Sequence, residues 1–550
     1  LHCEWSIQAL GSYFRASCLI AILAFNVSLL SYIFVHPLFI GWDPALHLQC
    51  AQLIVKGGLP YVDMLDVNPP LIWYIDCLPA LASKWFAIPV TMAFNLFVCL
   101  LIDLAALYMV RLCRVAIRRE SAGARALFGI FCGYLFFNLF LRFDFGQREE
   151  IFALLFVPYI FLRWLRYKGW RPGLLESLAV GIAGGIGVSM KHYYVIQLVA
   201  CEFLLLAMHA RPSISGLVKN KRNFLSPELF GLIGFGLVYA LHFLFLPQAV
   251  RDSYFGFLLP AFAQGYNFWD TCLAYCLASP DHRGVFVLGT VAATLLFALN
   301  RRAEQKSAGS IDLLALISTF AFTGVIPYLM QFKGWAYQDI PFFAGAAMLA
   351  GMAVTLSLTL LWRLSSAFLC LGLSVLSFCY FSWSAYTDLD QVRHDPPFDM
   401  NQVGYRGSCS KWDVNTPFTE IILKHSKVDD PILFISNAVT PAYPILTQLK
   451  RQPSSRHLHC CILSVLQYIQ EARESTSANL KLLDHRPKIV QQYESDIHIK
   501  KPALIFLQNM PVAGYMQPYG FEDFLAKDYR ILEADVANFK VYVRKQEAGH

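Results

Sequence analysis

Residues Gly41 to Leu71 read GWDPALHLQCAQLIVKGGLPYVDMLDVNPPL and follow directly on an uncharged run from Ala16 to Ile40. An acid, Asp43, therefore stands just past the exit of a membrane-length apolar segment, with Trp42 beside it as an interfacial anchor. His47 falls one helical turn after Asp43, on the same face of a helix that starts here. The Gly57-Gly58 and Pro60-Tyr61 pairs then break the chain. Asn68 is placed to cap a helix beginning at Pro69. The stretch reads as two short helices on a membrane surface, inside a first outer loop of residues 39–85.

The rest of the composition agrees with a membrane setting. The chain has 550 residues, 56% hydrophobic and 15% charged, with a mean hydropathy of +0.47, too apolar for a soluble globular protein. Runs such as Ala16 to Ile40, Leu313 to Phe332 and Leu364 to Tyr386 reach the roughly 20 residues that cross a hydrocarbon core. Arg15 precedes the first run and no small-residue cleavage site follows it, so this run reads as a retained helix. The pattern predicts an α-helical polytopic membrane protein with about 11 transmembrane helices, at roughly 17–38, 86–110, 125–141, 149–163, 174–190, 193–209, 228–246, 284–300, 312–331, 341–361 and 364–384.

Charge supplies the orientation. With the N-terminus in the cytoplasm, the loops after the second, fourth, sixth and eighth spans return inside, and each is basic: Arg111 to Arg119, Arg163 to Arg171, Arg211 to Arg222 and Arg301 to Lys306. The opposite loops carry Asp43, Asp63, Asp66, Asp144, Asp252, Asp270 and Asp339. The formal charge of +7 is thus a positive-inside signal and not a nucleic-acid footprint. The third and fourth spans are short, which predicts either local thinning of the bilayer or helices partly sheltered by their neighbours. Asp103 and Glu202, inside apolar runs, are expected to face the protein interior as structural charges.

After Tyr386 the apolar runs stop, and residues 387–550 are expected to form a soluble α/β domain outside the membrane, beyond the membrane domain of residues 1–386. Pro431 to Ser436 and Pro502 to Leu507 read as buried strands, Ser464 to Arg473 as a helix, and Tyr529 to Glu533 with Phe539 to Val543 as a hairpin. The 15 cysteines contain no C-x-x-C pair and read mostly as small apolar residues. Whether Cys409 bonds Cys460 or Cys461 stays open at this level.

Three further groups carry candidate chemistry. Arg142 to Glu150, RFDFGQREE, crowds Asp144, Gln147, Arg148 and Glu149 between two apolar runs, where charge is expensive. Lys191 and His192 directly follow the run Leu178 to Met190. Lys333 and Tyr337 lie in Gln331 to Pro341, QFKGWAYQDIP.

The Asp43 loop with its G-L-P-Y and N-P-P-L segments, followed in order by the Gly146-Gln147-Arg148-Glu149 and Lys333-Gly334…Tyr337 segments, resembles the GT-C superfamily of membrane glycosyltransferases, in the branch of protein O-mannosyltransferases and lipid A aminoarabinose transferases (glycosyltransferase 39-like). Two positions depart from the branch: Glu150 and Gln338 stand where some members carry histidine. The resemblance implies an inverting glycosyltransferase in a bacterial inner membrane, taking a sugar from a polyprenyl-phosphate carrier to a glycan, lipid or protein acceptor on the extracytoplasmic side. It implies Asp43 as the catalytic base. Arg148, Lys191, His192 and Lys333 would hold the donor phosphate, while His47, Tyr61, Asp144, Gln147, Glu149 and Tyr337 would support them or line the substrate. No cofactor is required on this reading, and no spacing demands a divalent metal. A ligase or polymerase using a diphosphate-linked glycan is the alternative enzyme; a transporter or flippase is the alternative class, although transporters commonly show two related halves and this chain shows none.

Overall fold

The computed structural model describes residues 7–34, 40–120, 124–141, 144–209, 223–278, 308–362, 416–472 and 477–545. The chain is an α-helical membrane protein with a small C-terminal sheet. Five described helices are long and apolar enough to cross a membrane, starting at Gly11, Val90, Pro227, Ile311 and Ala336. Shorter apolar helices fall at Ala124–Leu139, Leu174–Ser189 and His192–Met208. These match the expected spans in order, and the expected spans at 284–300 and 364–384 lie outside the described residues.

The chain divides into two compact units, one of residues 1–35, 96–244 and 271–396, the other of residues 36–95, 245–270 and 397–550. In chain order the leading helices are α1 (Ile7–Phe34), α2 (Trp42–Val55), α3 (Leu71–Phe86), α4 (Val90–Glu120), α5 (Ala124–Phe136), α6 (Arg148–Tyr167), α7 (Leu174–Ser189) and α8 (Val195–His209).

In the first unit, the 13-residue α5 and the 20-residue α6 are buried along nearly their whole length; α5 is short, as expected, while α6 runs on to Tyr167, past the expected end at 163. α5 packs on the helix Ile340–Trp362 through glycines. A methyl group on Gly129 would lie 2.2 Å from the Gly351 carbonyl oxygen, and one on Gly133 equally close to that of Ala347. Small residues let two helix backbones approach where lipid offers no hydrophobic drive.

The unit has a charged pole. Arg163, fully buried, donates from Nε (2.7 Å) and Nη2 (2.5 Å) to the Glu202 carboxylate and from Nη1 to Ser226 Oγ (2.5 Å) and Glu228 Oε1 (3.2 Å). Arg166 holds Glu228 and reaches Ser177 Oγ at 3.1 Å, and the Tyr159 hydroxyl donates to Glu202 at 2.8 Å. This network ties α6, α7, α8 and the helix Pro227–Phe245. Two of the cations expected to mark a cytoplasmic loop are therefore internal structure. Arg111 also pairs with Glu176 and Lys168 with Asp312, each at 2.7 Å. Asp103, expected to face inward, accepts from Asn26 Nδ2 at 2.7 Å.

The second unit carries a five-stranded sheet in the order β2-β1-β3-β5-β4, with β1 at Pro431–Ile435, β2 at Gln452–Pro453, β3 at Leu504–Gln508, β4 at Tyr529–Val536 and β5 at Phe539–Arg544. β1 pairs in parallel with β2 and β3, and β5 runs antiparallel to β3 and β4. The two expected strands and the hairpin are all present. Ala537 and Asn538, both at positive φ, make the hairpin turn, as two-residue hairpin loops require. Phe434 and Phe506, paired in register, stack at 4.3 Å.

α2 and α3 belong to this unit and pack on each other, with α2 also against the helix Ala442–Gln448. The expected pair of helices is present, but α2 is buried from Pro44 to Ala51 and is not a free surface helix. α3 starts at Leu71 after Pro70 and takes no side-chain cap. Asn68, expected to cap it, instead donates from Nδ2 to Asp66 Oδ2 at 2.8 Å, because a charged acceptor two residues away is the stronger partner.

Candidate active site

The stretch from Gly41 to Leu71 is shaped by its turn residues. Gly57 and Tyr61 both adopt positive φ, and the tight turn between them closes with Leu59 N–H donating to Asp63 Oδ2 (2.8 Å) and Tyr61 N–H to the Met64 carbonyl (2.8 Å). Tyr61, expected along the substrate, is wholly buried in the loop's own packing. Its hydroxyl donates to the Asn68 carbonyl at 2.7 Å, and its ring stacks on Tyr254 at 4.2 Å and tilts on Trp73 at 5.1 Å.

Asp43 lies in the first turn of α2, half-buried, where the helix N-terminus favours its negative charge. His47 follows one turn later, buried. The same loop holds a second acid in a more enclosed setting. Asp66 accepts from Val67 N–H (2.8 Å) and Asn68, and its Oδ1 meets His459 Nε2 at 3.3 Å. Burial pushes the Asp66 carboxyl up. The His459 contact, the charges of His459 and His47 and the Asn68 hydrogen bond outweigh that and hold it at about 2. Burial opposes charge on His459 too, yet Cys461 and Asp66 beside it raise its pKa well above the ordinary value. Leu65 N–H donates to the Arg456 carbonyl at 2.8 Å, so the loop is stitched to the C-terminal segment by backbone as well as charge. Sequence reasoning listed Asp66 only as one outer acid among several. The crowding of two acids in VDMLDVN was the available signal.

In the first unit, three separate stretches meet at one end. Gly146, at positive φ, turns the chain into α6, and its N–H donates to Glu150 Oε2 at 2.6 Å. Glu150 is thus engaged at the helix start. Gln147 is the N-cap residue and is buried with neither side-chain polar atom hydrogen-bonded. Asp144, partly buried, sits in the preceding turn, and its carbonyl accepts from Gln147 N–H at 3.2 Å. Arg148 and Glu149 in the first turn are buried.

Lys191 interrupts the run from α7 to α8 in extended conformation. Its ammonium pairs with Glu149 and lies 5.2 Å above the Tyr337 ring centroid, a cation–π distance. His192, next in sequence, is exposed and rests on the Tyr193 ring. Lys333 is buried in the turn that leads to Tyr337. Phe332 and Gly334 on either side of it both take positive φ, and the Phe332 carbonyl is fixed by Thr271 through its N–H (2.6 Å) and Oγ1 (3.0 Å). Lys191, Glu149 and Tyr337 are therefore in contact, with Arg148 adjoining and Lys333 in the same turn as Tyr337. The pairing with Glu149 fixes where the Lys191 ammonium stands.

Among the described residues no group of three or more His, Cys, Asp or Glu side chains is arranged to hold a metal ion. No family model matches the chain, and no curated protein matches it in sequence. Among solved structures, the crystal structure of ArnT from Cupriavidus metallidurans bound to undecaprenyl phosphate matches with a TM-score of 0.52, over 95% of this chain and 97% of that one, at 11% identity. The likeness extends over nearly the whole length of both chains, and what it shows is a shared architecture: this chain has the fold of that ArnT structure.

Proposed function

We propose that the protein is an inverting glycosyltransferase that moves one sugar from a polyprenyl-monophosphate carrier to a hydroxyl of a glycan, lipid or protein acceptor on the extracytoplasmic side of a bacterial inner membrane. The observation that carries this reading is the fixed Lys191 ammonium, set between Glu149 and the face of Tyr337 with Arg148 and Lys333 close in the chain. An ionisable residue inside a membrane protein is a functional-site candidate by default, and the phosphate that ends the carrier of such a donor is an anion that lysine and arginine would hold. The ArnT fold and the Asp43 loop point the same way.

The acceptor oxygen attacks the anomeric carbon while Asp43 takes its proton. The bond from that carbon to the phosphate oxygen breaks, and its electron pair leaves with the polyprenyl phosphate. A phosphate leaves as a stable anion and needs no general acid. Its developing charge is met by Lys191, Arg148 and Lys333, held in place before the reaction. Glu149 positions Lys191. Gln147 and Tyr337 are assigned to the sugar.

The test is transfer from radiolabelled polyprenyl-monophosphate sugars by the purified protein in detergent, with and without chelator, beside Asp43→Asn. Label reaching an acceptor or water in the wild type and absent in the variant supports the assignment. A well-folded protein silent across the panel refutes it, and diphosphate-linked glycans are then the next donors to try.

A further inference from the structure

A cavity of about 230 Å³ opens in the second unit, between α2, the end of α3 and the stretch Leu446 to Gln452. Its polar wall is made by Gln49, Gln52, Ser83, Thr447, Lys450, Arg451 and Gln452, none of which belongs to the site above. No carboxylate lines it, so it is not built for a cation.

The wall is fixed by contacts on its far side. Arg451, 4% exposed, donates from Nε to Ser426 Oγ (2.9 Å), from Nη2 to the Ser426 carbonyl (3.0 Å) and from Nη1 to the Leu449 carbonyl (2.5 Å). Gln452 is held at both ends, accepting from Lys56 Nζ (3.0 Å) and donating to Asp429 (3.3 Å). Ser83 Oγ donates to the Ile88 carbonyl at 2.6 Å, which leaves its oxygen as an acceptor toward the cavity. Thr447 is the exception. Its Oγ1 is buried without a hydrogen bond, in a residue only 4% exposed, and a buried hydroxyl left unmatched is costly.

Carboxamides offer both donors and acceptors, and hydroxyls do the same. That mixture matches a polyhydroxylated ring. At about 30 Å³ per water the space equals seven or eight waters, the size of one monosaccharide. Ile88 and Leu446 supply an apolar strip for the C–H face of such a ring. The cavity also reaches Val90, where a membrane-length helix begins, and Trp85 and Phe86 just before it are about 70% exposed, as interfacial anchors are.

We propose that this cavity is a saccharide-binding site that takes one pyranose ring, either the headgroup of a membrane glycolipid or a free sugar. The site stands apart from the transferase reading, so its test uses no polyprenyl donor. Saturation-transfer NMR on the full-length protein in detergent would use free glucose, N-acetylglucosamine and galactose in one arm and a solubilised monoglycosyl diacylglycerol in the other. Saturation of ring protons in the wild type is expected, from the glycolipid alone if the bilayer supplies the ligand and from free sugars as well if it does not. Thr447→Val should weaken the signal at least fivefold, and Thr447→Ser should keep it. Gln52→Trp, at a half-exposed position, fills the cavity without removing a buried hydrogen bond and should abolish binding with the melting temperature unchanged. No saturation by any probe overturns the proposal, as does saturation that survives Gln52→Trp.

Discussion

The Asp66–His459 contact gives a stability prediction that can be worked from the structure. Replacing Asp66 with Asn keeps the shape and imitates the protonated carboxyl, so the expected cost at mid pH is the free energy stored in the carboxyl's shift. That pKa falls from 3.8 to about 2, and at 1.36 kcal/mol per unit the loss is about 2 kcal/mol. Asp66 is 3% exposed, so solvent screening removes little of this. For a body of this size the melting temperature should fall by roughly 4–8 °C. A depressed carboxyl contributes stability above its unfolded pKa and loses it as pH falls through the folded one, so the advantage of wild type over Asp66→Asn should hold near pH 5.5 and vanish between about 4 and 2. His459 works in the other direction: its raised pKa stabilises below about 6.5 and that contribution fades as pH rises through the folded value. His457, driven down to about 4 by burial, lowers the stability of both proteins as pH falls from 6.5 and cancels in the difference. Thermal melts of the two purified proteins followed by tryptophan emission across this range decide the matter. A gap under 1 °C at pH 5.5, or one that persists unchanged at pH 2.5, refutes the reasoning.

Other perturbations probe the remaining parts. Lys191→Met should leave Glu149 buried without its cation and cost about 3–5 kcal/mol; adding Glu149→Gln should restore much of the melting temperature but not the donor KM, which separates structure from phosphate binding. Gly334→Ala forces a side chain into positive φ and within 2.8 Å of the Tyr275 ring. It should cost about 1–2 kcal/mol and raise donor KM by displacing Lys333, read from initial rates at varied donor. Glu202→Gln strips Arg163 of its bidentate partner and should destabilise by about 3 kcal/mol or more, lowering detergent-extracted yield and melting temperature together while leaving the donor KM of the folded fraction unchanged.

How much of this was legible in the sequence depended on the range of the interaction. Patterns set by neighbours a few residues apart read correctly: the apolar runs within the described residues, the break at Gly57 to Tyr61, the two strands and the hairpin appeared where periodicity and turn chemistry put them. The sheltering of α5 was legible as well, since a segment too short to face lipid on its own must find protein around it. Asn68 was misread because two local acceptor-donor schemes competed, and a cap for α3 is worth less than a hydrogen bond to the Asp66 carboxylate. Arg163 and Arg166 were misread for a different reason. A charge count along the chain cannot tell a cation in a loop from one at the buried end of a helix, and the partners that decide it, Glu202 and Glu228, lie 39 and 62 residues further on.

The same limit bears on the candidate site. Lys191, Glu149 and Tyr337 were each picked out as costly polar residues beside apolar runs, a local signal; their mutual contact is a property of the helix packing and could not be read. Asp66 and His459 are 393 residues apart, and neither breaks a local rule strongly enough to announce a partner. Yet the physical consequence of their burial is the larger one. Asp43 is half-buried in the first turn of a helix and weighs less in a melting experiment, whereas a carboxylate enclosed with two histidines must stay paired for the loop to stay folded. The stability of the second unit should therefore be most sensitive at Asp66, and the chemistry most sensitive at Asp43: Asp43→Asn is expected to lose transfer with a melting temperature within about 4 °C of wild type, because a helix-end charge of this kind contributes about 1 kcal/mol. A variant that melts early and loses transfer in proportion would place Asp43 in the fold and not in the reaction.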